Sequence, residues 1–468
     1  MNKFPFISLL IIPILLSSSK GVAQQFIGLN TTEFAAIQHM STNPAWVNTS
    51  ENGMELMMFS GGGLAGTNAY TFEKDFVFNG FNGQAIESQD YKKIVGGHKK
   101  HLWANIEMNG PAVSFKHKDD HHFGVFTRVR QIFRGGNLTN ENFELIGSSG
   151  NTVADGQSVM FKKTGFTTHT FAEVGFTYGR ILANDYYNVA RAGVSLKYLM
   201  GFVAGSIYAP SLNYTANYDS VRSVKGDVSL NYTHNIGSFI DDNAQNDLTS
   251  WYQRAGRWGL GLDIGGQYEY HPNGNPNEPT PYLFSIAASI TDLGGIGYVA
   301  DTGSGNYTLA ISNADTGILT KHKHEHITDY MIKLDNDSLL GKGEKSSKFR
   351  VGLPTAFRLN ADYNAGDKFH IAVNLLLNLR GNSKEIYKPA YVSYINFTPS
   401  YGGKNASISL PFTLMGYQTF AVGTILRWGP FYIGSTSCAS MFLTDRISNI
   451  DAYAGFVWKF RKNERHYY

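Results

Sequence analysis

Three histidines at alternate positions, His322, His324 and His326 in KHKHEH, have the spacing of metal ligands. On an extended backbone alternate side chains share a face, so the imidazoles could converge on a divalent cation. No carboxylate holds a defined place beside them to support such a site, and a solvated loop explains the run more simply. Asp119–His122, DDHH, suits a tight turn. Asp335–Gly341, DNDSLLG, approaches a calcium loop but puts glycine at the seventh position rather than the sixth, with Ser346 where the loop needs glutamate. Gly-x-Ser-x-Gly, His-Glu-x-x-His and phosphate-loop patterns are missing from the sequence. We therefore expect no catalytic residue, no metal site, no cofactor and no enzymatic activity.

The remaining chemistry lies in nine charges that recur on one side of alternating segments: Arg128, Arg130, Glu173, Arg191, Lys197, Asp263, Glu269, Arg358 and Asp362. In RWGLGLDIGGQYEY, Trp258, Leu260, Leu262, Ile264, Tyr268 and Tyr270 share one face, and Arg257, Asp263, Gln267 and Glu269 the other. If the apolar faces meet lipid, the charges must point into a lumen, because Arg or Lys facing lipid at mid-depth costs about 2–4 kcal/mol. There they either line a pathway or cross-pair to fill it. Mixed signs express no ion preference, which favours filling.

Those charges need strands to position them. VKGDVSLNYT alternates without a break from Val224 to Thr233, and HFGVFTRVRQ, ARAGVSLKYL, SLNYTANY, TAFRLNADY and FHIAVNLLLNL do the same. Strands of about ten residues with aromatic-flanked apolar faces fit a tilted bilayer crossing. Connections fall into two lengths. Lys118–His121, Asn364–Asp367 and Gly402–Lys404 are tight, whereas 134–166, 235–255 and 300–348 are long. That division is typical of the two rims of an outer-membrane barrel. Fourteen to sixteen candidate strands can be counted, and fourteen is preferred. The fold class is thus all-β, a transmembrane antiparallel barrel of about 14 strands. A soluble sandwich alternates as well, but one repeated strand type over this length would require several sandwiches. HPNGNPNEPTP, 271–281, is the only linker-like stretch and reads as a rim loop.

The ends and composition agree with export. Lys3, the apolar run Phe4–Leu16 and Gly21-Val22-Ala23 form a signal peptide, with the mature chain beginning at Gln24. Cys438 is the single cysteine, so no intramolecular disulfide is available. Loss of Lys3 and Lys20 with the signal leaves 38 bases against 37 acids, which calls for no nucleic-acid partner. The 50 glycines, 27 tyrosines and 31 phenylalanines are too aromatic for disorder and too glycine-rich for a helical protein. The last strand, AYAGFVWKF, ends on an aromatic, Phe460, and is followed by the tail RKNERHYY.

One stretch breaks the pattern: FAAIQHMSTNPAWVN, Phe34–Asn48. Thr31 or Thr32 can cap a short helix, Phe34, Ile37 and Met40 lie at helical spacing, and Asn43-Pro44 ends it in a turn. Asn43-Pro44-Ala45, with GVSLKYLMG (Gly193–Gly201), LPTAFRLNADY (Leu353–Tyr363) and LRWGPFYIGS (Leu426–Ser435), resembles a Bacteroidota outer-membrane family of unknown function related to the long-chain fatty-acid transporters. The resemblance implies a fourteen-stranded barrel whose N-terminal segment is a hatch inside the lumen, with Phe34, Asn43, Pro44, Ala45 and Trp46 as its residues. The expected layout is 1–23 signal peptide, 24–52 hatch, 53–460 barrel and 461–468 tail. The expected partners are outer-membrane lipid, a small hydrophobic ligand that the barrel admits, or secretion and surface proteins docked on a non-transporting barrel.

Overall fold

A computed structural model describes residues 26–29, 36–48, 54–74, 91–94, 96, 99–117, 120–142, 156–185, 187–217, 220–236, 256–272, 282–315, 327–336, 343–366, 368–380, 388–403, 405–416 and 418–460. The expected signal peptide, Phe34, the histidine run 322–326 and the tail 461–468 lie outside them. Among the described residues no helix is long and apolar enough to cross a membrane.

An alternating ribbon with one apolar face leaves its edges unpaired until it closes on itself. Here it closes, as an antiparallel barrel of 14 strands. They are β1 (Met54–Thr67), β2 (Lys100–His117), β3 (His121–Leu138), β4 (Ser158–Asn184), β5 (Asn188–Asn217), β6 (Trp258–Tyr270) and β7 (Phe284–Val299). The ring continues through β8 (Lys348–Gly352 with Ala356–Asn364), β9 (Phe369–Asn378), β10 (Tyr394–Gly402), β11 (Ala406–Ser409 with Phe412–Met415) and β12 (Thr419–Val422 with Thr424–Trp428). β13 (Phe431–Ser435) and β14 (Asn449–Phe460) complete it. The seam joins β1 to β14 from Met54↔Phe460 to Gly66↔Asn449.

The tight connections 118–120, 365–368 and 403–405 share one rim, as their lengths predict. His271 and Leu283, the ends of the connection between β6 and β7, also fall on this turn rim, while 273–281 lie outside the described residues. Outward side chains are apolar and exposed, among them Phe59, Met108, Leu196, Leu260, Val373 and Ile433. Aromatic pairs ring the turn rim: Phe115 stacks on Phe123 at 5.7 Å, and Phe431 meets Phe456 edge-on at 4.8 Å. An apolar band with an aromatic girdle is the surface that lipid requires.

β4 and β5 are far longer than a crossing needs. At about 3.3 Å per residue, the 30 residues of β5 extend for roughly 100 Å. Asn188–Met200 of β5 pairs with β6 inside the wall, whereas Gly205–Asn217 pairs with a strand at Ser220–Tyr232. That strand then pairs with Gly305–Asp315. VKGDVSLNYT is therefore a strand but not a wall strand, because its neighbour β5 has already left the ring. The alternation is the same in both settings, since a covered face needs apolar residues in either. Val159, Phe161, Leu212, Val224 and Ile311 pack with Leu102, Ala104, Phe133 and Leu138. A helix at Ile327–Asn336 adds Tyr330, Met331 and Leu334 to a second cluster with Leu230 and Tyr232.

Among the described residues, two segments off the wall lie in the interior. From the turn side come Phe26–Leu29 and a helix Ala36–His39 followed by a 3-10 turn Pro44–Asn48. From the loop side, the connection between β9 and β10 dips inward at 390–392, where Ala390, Tyr391 and Val392 are buried.

Candidate functional site: the barrel interior

Strand parity sends all nine sequence-predicted charges inward. Arg128, Arg130, Glu173, Lys197, Asp263, Glu269, Arg358 and Asp362 are buried, and the Arg191 side chain is 12% exposed. Arg128 and Glu173 are direct cross-strand partners on β3 and β4.

Five of the nine meet in one network. Arg128 donates to Glu173 at 2.5 Å and to Glu107 at 3.2 Å. Arg130 donates to Glu173 at 2.6 Å and grips both carboxylate oxygens of Asp292, each at 2.8 Å. Lys197 Nζ bridges Asp263 and Asp292 at 2.6 Å each. Asp292 is the hub, and its own N–H donates to Asp263 at 2.6 Å. Such a network holds together because each buried charge is paired and hydrogen-bonded; stripping one partner from such a pair costs about 3–5 kcal/mol.

The other four fall elsewhere. Arg191 pairs with Glu269 at 2.7 Å, and His271 approaches the same carboxylate at 3.2 Å. Asp362 accepts from Tyr282 at 2.5 Å and lies 3.3 Å from His370 Nδ1. Arg358 donates to Thr291 at 3.3 Å, with its guanidinium carbon 5.6 Å from the Tyr391 ring centroid.

Sequence reasoning missed Glu107, Asp292 and Tyr391. Glu107 was open to the same period-two test, since Asn105, Glu107 and Asn109 alternate with the half-buried Ile106 and the exposed Met108. Asp292 carried no such signal. It sits at a bulge where the β6–β7 register shifts between Ile290 and Leu293, with φ +63°. Aspartate tolerates that left-handed conformation, and the bulge redirects its carboxylate into the lumen. Tyr391 lies off the strands, where periodicity has nothing to read.

The turn-side segment is fitted to the wall by a glycine pair. Gly193 of β5 and Gly265 of β6 face each other in register. A Cβ on Gly265 would strike Asn43 Oδ1, and one on Gly193 would strike the Pro44 and Ala45 backbone. Asn43 and Ala45 are fully buried there, and Trp46 is 7% exposed. Asn43 Nδ2 donates to the Gly266 and Ala288 carbonyls at 3.2 and 3.3 Å, while its Oδ1 accepts the Ala45 N–H at 3.0 Å. Ser289 donates to the Thr42 carbonyl at 2.7 Å, and Tyr453 to that of Ile27 at 2.7 Å. Glu55 accepts the Ile37 N–H at 3.0 Å, and Tyr432 donates to Gln38. Trp46 meets His39 edge-on at 5.3 Å. The resemblance implied one hatch role for Asn43–Trp46 as a block, and the glycines that receive them carried no sequence signal.

An apolar groove of about 1110 Å³ lies on the outer wall, lined by residues such as Met108, Leu426, Ile433 and Phe456. It faces the lipid side. Among the described residues no group of three or more His, Cys, Asp or Glu side chains is arranged to hold a metal ion.

The model of a family of unknown function, DUF5723, matches residues 44–436. No curated protein matches the sequence. Among solved structures, the chain is similar to the deltaS2 mutant of the TodX monoaromatic hydrocarbon channel, with 9% identity over 92% of this chain and 95% of that one, TM-score 0.41. The Pseudomonas putida toluene transporter TodX shares 8% identity over 94% and 96%, TM-score 0.34. The translocator domain of autotransporter NalP from Neisseria meningitidis shares 8% identity over 94% and 100%, TM-score 0.37.

Proposed function

We propose that this chain, which belongs to the DUF5723 family of unknown function, is an outer-membrane barrel of a Gram-negative bacterium, exported with a cleaved signal peptide, that admits small, largely apolar molecules. In this reading it has no enzymatic activity. Residues 24–52 act as a hatch and 53–460 as the wall, with the nine inward charges fixing the lumen's shape.

The observation that carries the reading is the way the interior is closed. Besides the wall's own side chains, a separate N-terminal segment lies inside and seats in a glycine bay through a handful of hydrogen bonds. Contacts of that kind can be exchanged one set for another without dismantling a strand ladder.

Reconstituted liposomes test this. Deleting residues 24–50 is expected to raise influx of a small apolar solute several-fold over the intact protein, with folding of both checked by gel mobility before and after boiling. If neither protein exceeds empty liposomes, the channel reading is wrong.

The projecting sheet supports a second reading. β4, β5 and the strands Ser220–Tyr232 and Gly305–Asp315 continue well past the ring. A non-transporting barrel that docks secretion or surface proteins would use such a platform. Stoichiometric partners recovered with the full-length protein from native membranes, without solute flux, would favour it.

A further inference from the structure

The connection between β9 and β10 behaves as a ligand of the barrel. Loops ordinarily run over a protein's surface, because buried main chain must find hydrogen-bond partners. Here Ala390, Tyr391 and Val392 are buried in the lumen and join no ladder. Arg134 of β3 donates to the Tyr391 and Ala390 carbonyls at 3.1 and 3.5 Å. The Tyr391 hydroxyl accepts from Arg130 at 2.5 Å and donates to Asp292 Oδ2 at 3.0 Å. The Arg358 guanidinium lies 5.6 Å from the ring centroid. Ile296, Leu353, Ala356 and Leu376 belong to the same apolar cluster.

We propose that this seat is a lumen site for a small hydroxylated aromatic molecule, a phenol, and that Tyr391 is its tethered stand-in. The seat stands without Tyr391. Arg130 keeps two bonds to Asp292 and one to Glu173, and Lys197 fixes Asp292 from the other side. Withdrawal of residues 390–392 would leave a preorganised donor and acceptor at the end of an apolar slot. A phenol hydroxyl satisfies both, and its ring takes the place beside Arg358. Benzene would leave the second Nη1–H of Arg130 and a lone pair of Asp292 Oδ2 unanswered, though the two groups stay bonded to each other, and a site built to bind a hydroxyl rejects the analogue that lacks it. An aliphatic alcohol offers no π face. The inference deepens the channel reading by naming a cargo class, and rests on it for the route by which a phenol arrives.

The test uses the full-length protein in detergent with Tyr391→Ala. The variant is expected to melt below wild type, phenol to restore several degrees, and benzene or cyclohexanol at equal concentration less than half as much. Equal restoration by benzene, or none by any of the three, overturns the proposal. Should Tyr391→Ala fail to fold, Val392→Cys in a Cys438→Ser background reports on the native seat. Phenol is expected to speed maleimide labelling of Cys at that position several-fold and benzene not to; equal rates with and without phenol overturn the proposal. Phenol binding without liposome flux would sink the channel reading and leave the seat standing, while flux without phenol binding would do the reverse.

Discussion

Asp292 shows how much one residue can carry when a strand is bent to deliver it. Its carboxylate touches Arg130, Lys197 and Tyr391, and Thr355 donates to its carbonyl at 2.7 Å. Asp292→Ala is expected to destabilise the barrel by about 3–5 kcal/mol, because it leaves a guanidinium and an ammonium buried with fewer counter-charges. The unfolding midpoint in detergent measures it; a loss below about 1 kcal/mol would mean that water takes over the carboxylate's bonds. Asp362, with its part-exposed His370 partner, is the comparison: Asp362→Asn should cost less than Asp292→Ala. The inward charges were legible because alternation fixes facing wherever the ladder is regular. Asp292 and Tyr391 were not, because a bulge resets the parity at one and the other stands on no strand.

Among elements, the N-terminal segment and β5 show what alternation can and cannot specify. The helical spacing of Ile37 and Met40 and the Asn43-Pro44 stop were readable as a departure from strand. Their destination was not, since it depends on Gly193 and Gly265, which look like any other glycines in a glycine-rich chain. Gly265→Val is expected to unseat the segment while the wall still closes, because the added atoms collide hardest with Asn43, at its Oδ1, and meet Ser289 of the neighbouring strand only at 3.1 Å. Solute leak through reconstituted Gly265→Val should approach that of the 24–50 deletion. Wild-type permeability in that variant would show that the bay does not hold the segment. The strand Ser220–Tyr232 teaches the converse: perfect alternation established that it has one covered face, but not whether lipid or protein covers it.

At the scale of the whole molecule, two-length connections and fourteen to sixteen alternating segments pointed to a closed ring, because lipid leaves no place for an open edge, but not to which segments form its wall. The projecting sheet was not foreseen, since nothing in β4 or β5 marks where the wall ends and the projection begins. A closed wall predicts that the unboiled protein migrates differently on a denaturing gel from the boiled protein. A single position under both conditions would argue against closure. The seam between β1 and β14 has a further consequence, in time rather than space. The strand that shuts the ring follows all the other wall strands in the chain, whereas the segment lodged within it precedes them. A chain made from its N-terminus therefore holds that segment before it holds the strand that closes the wall. Gly193 and Gly265 also precede the closing strand, so we expect the early segment to settle between β5 and β6 first and to serve as the form around which the later strands wrap.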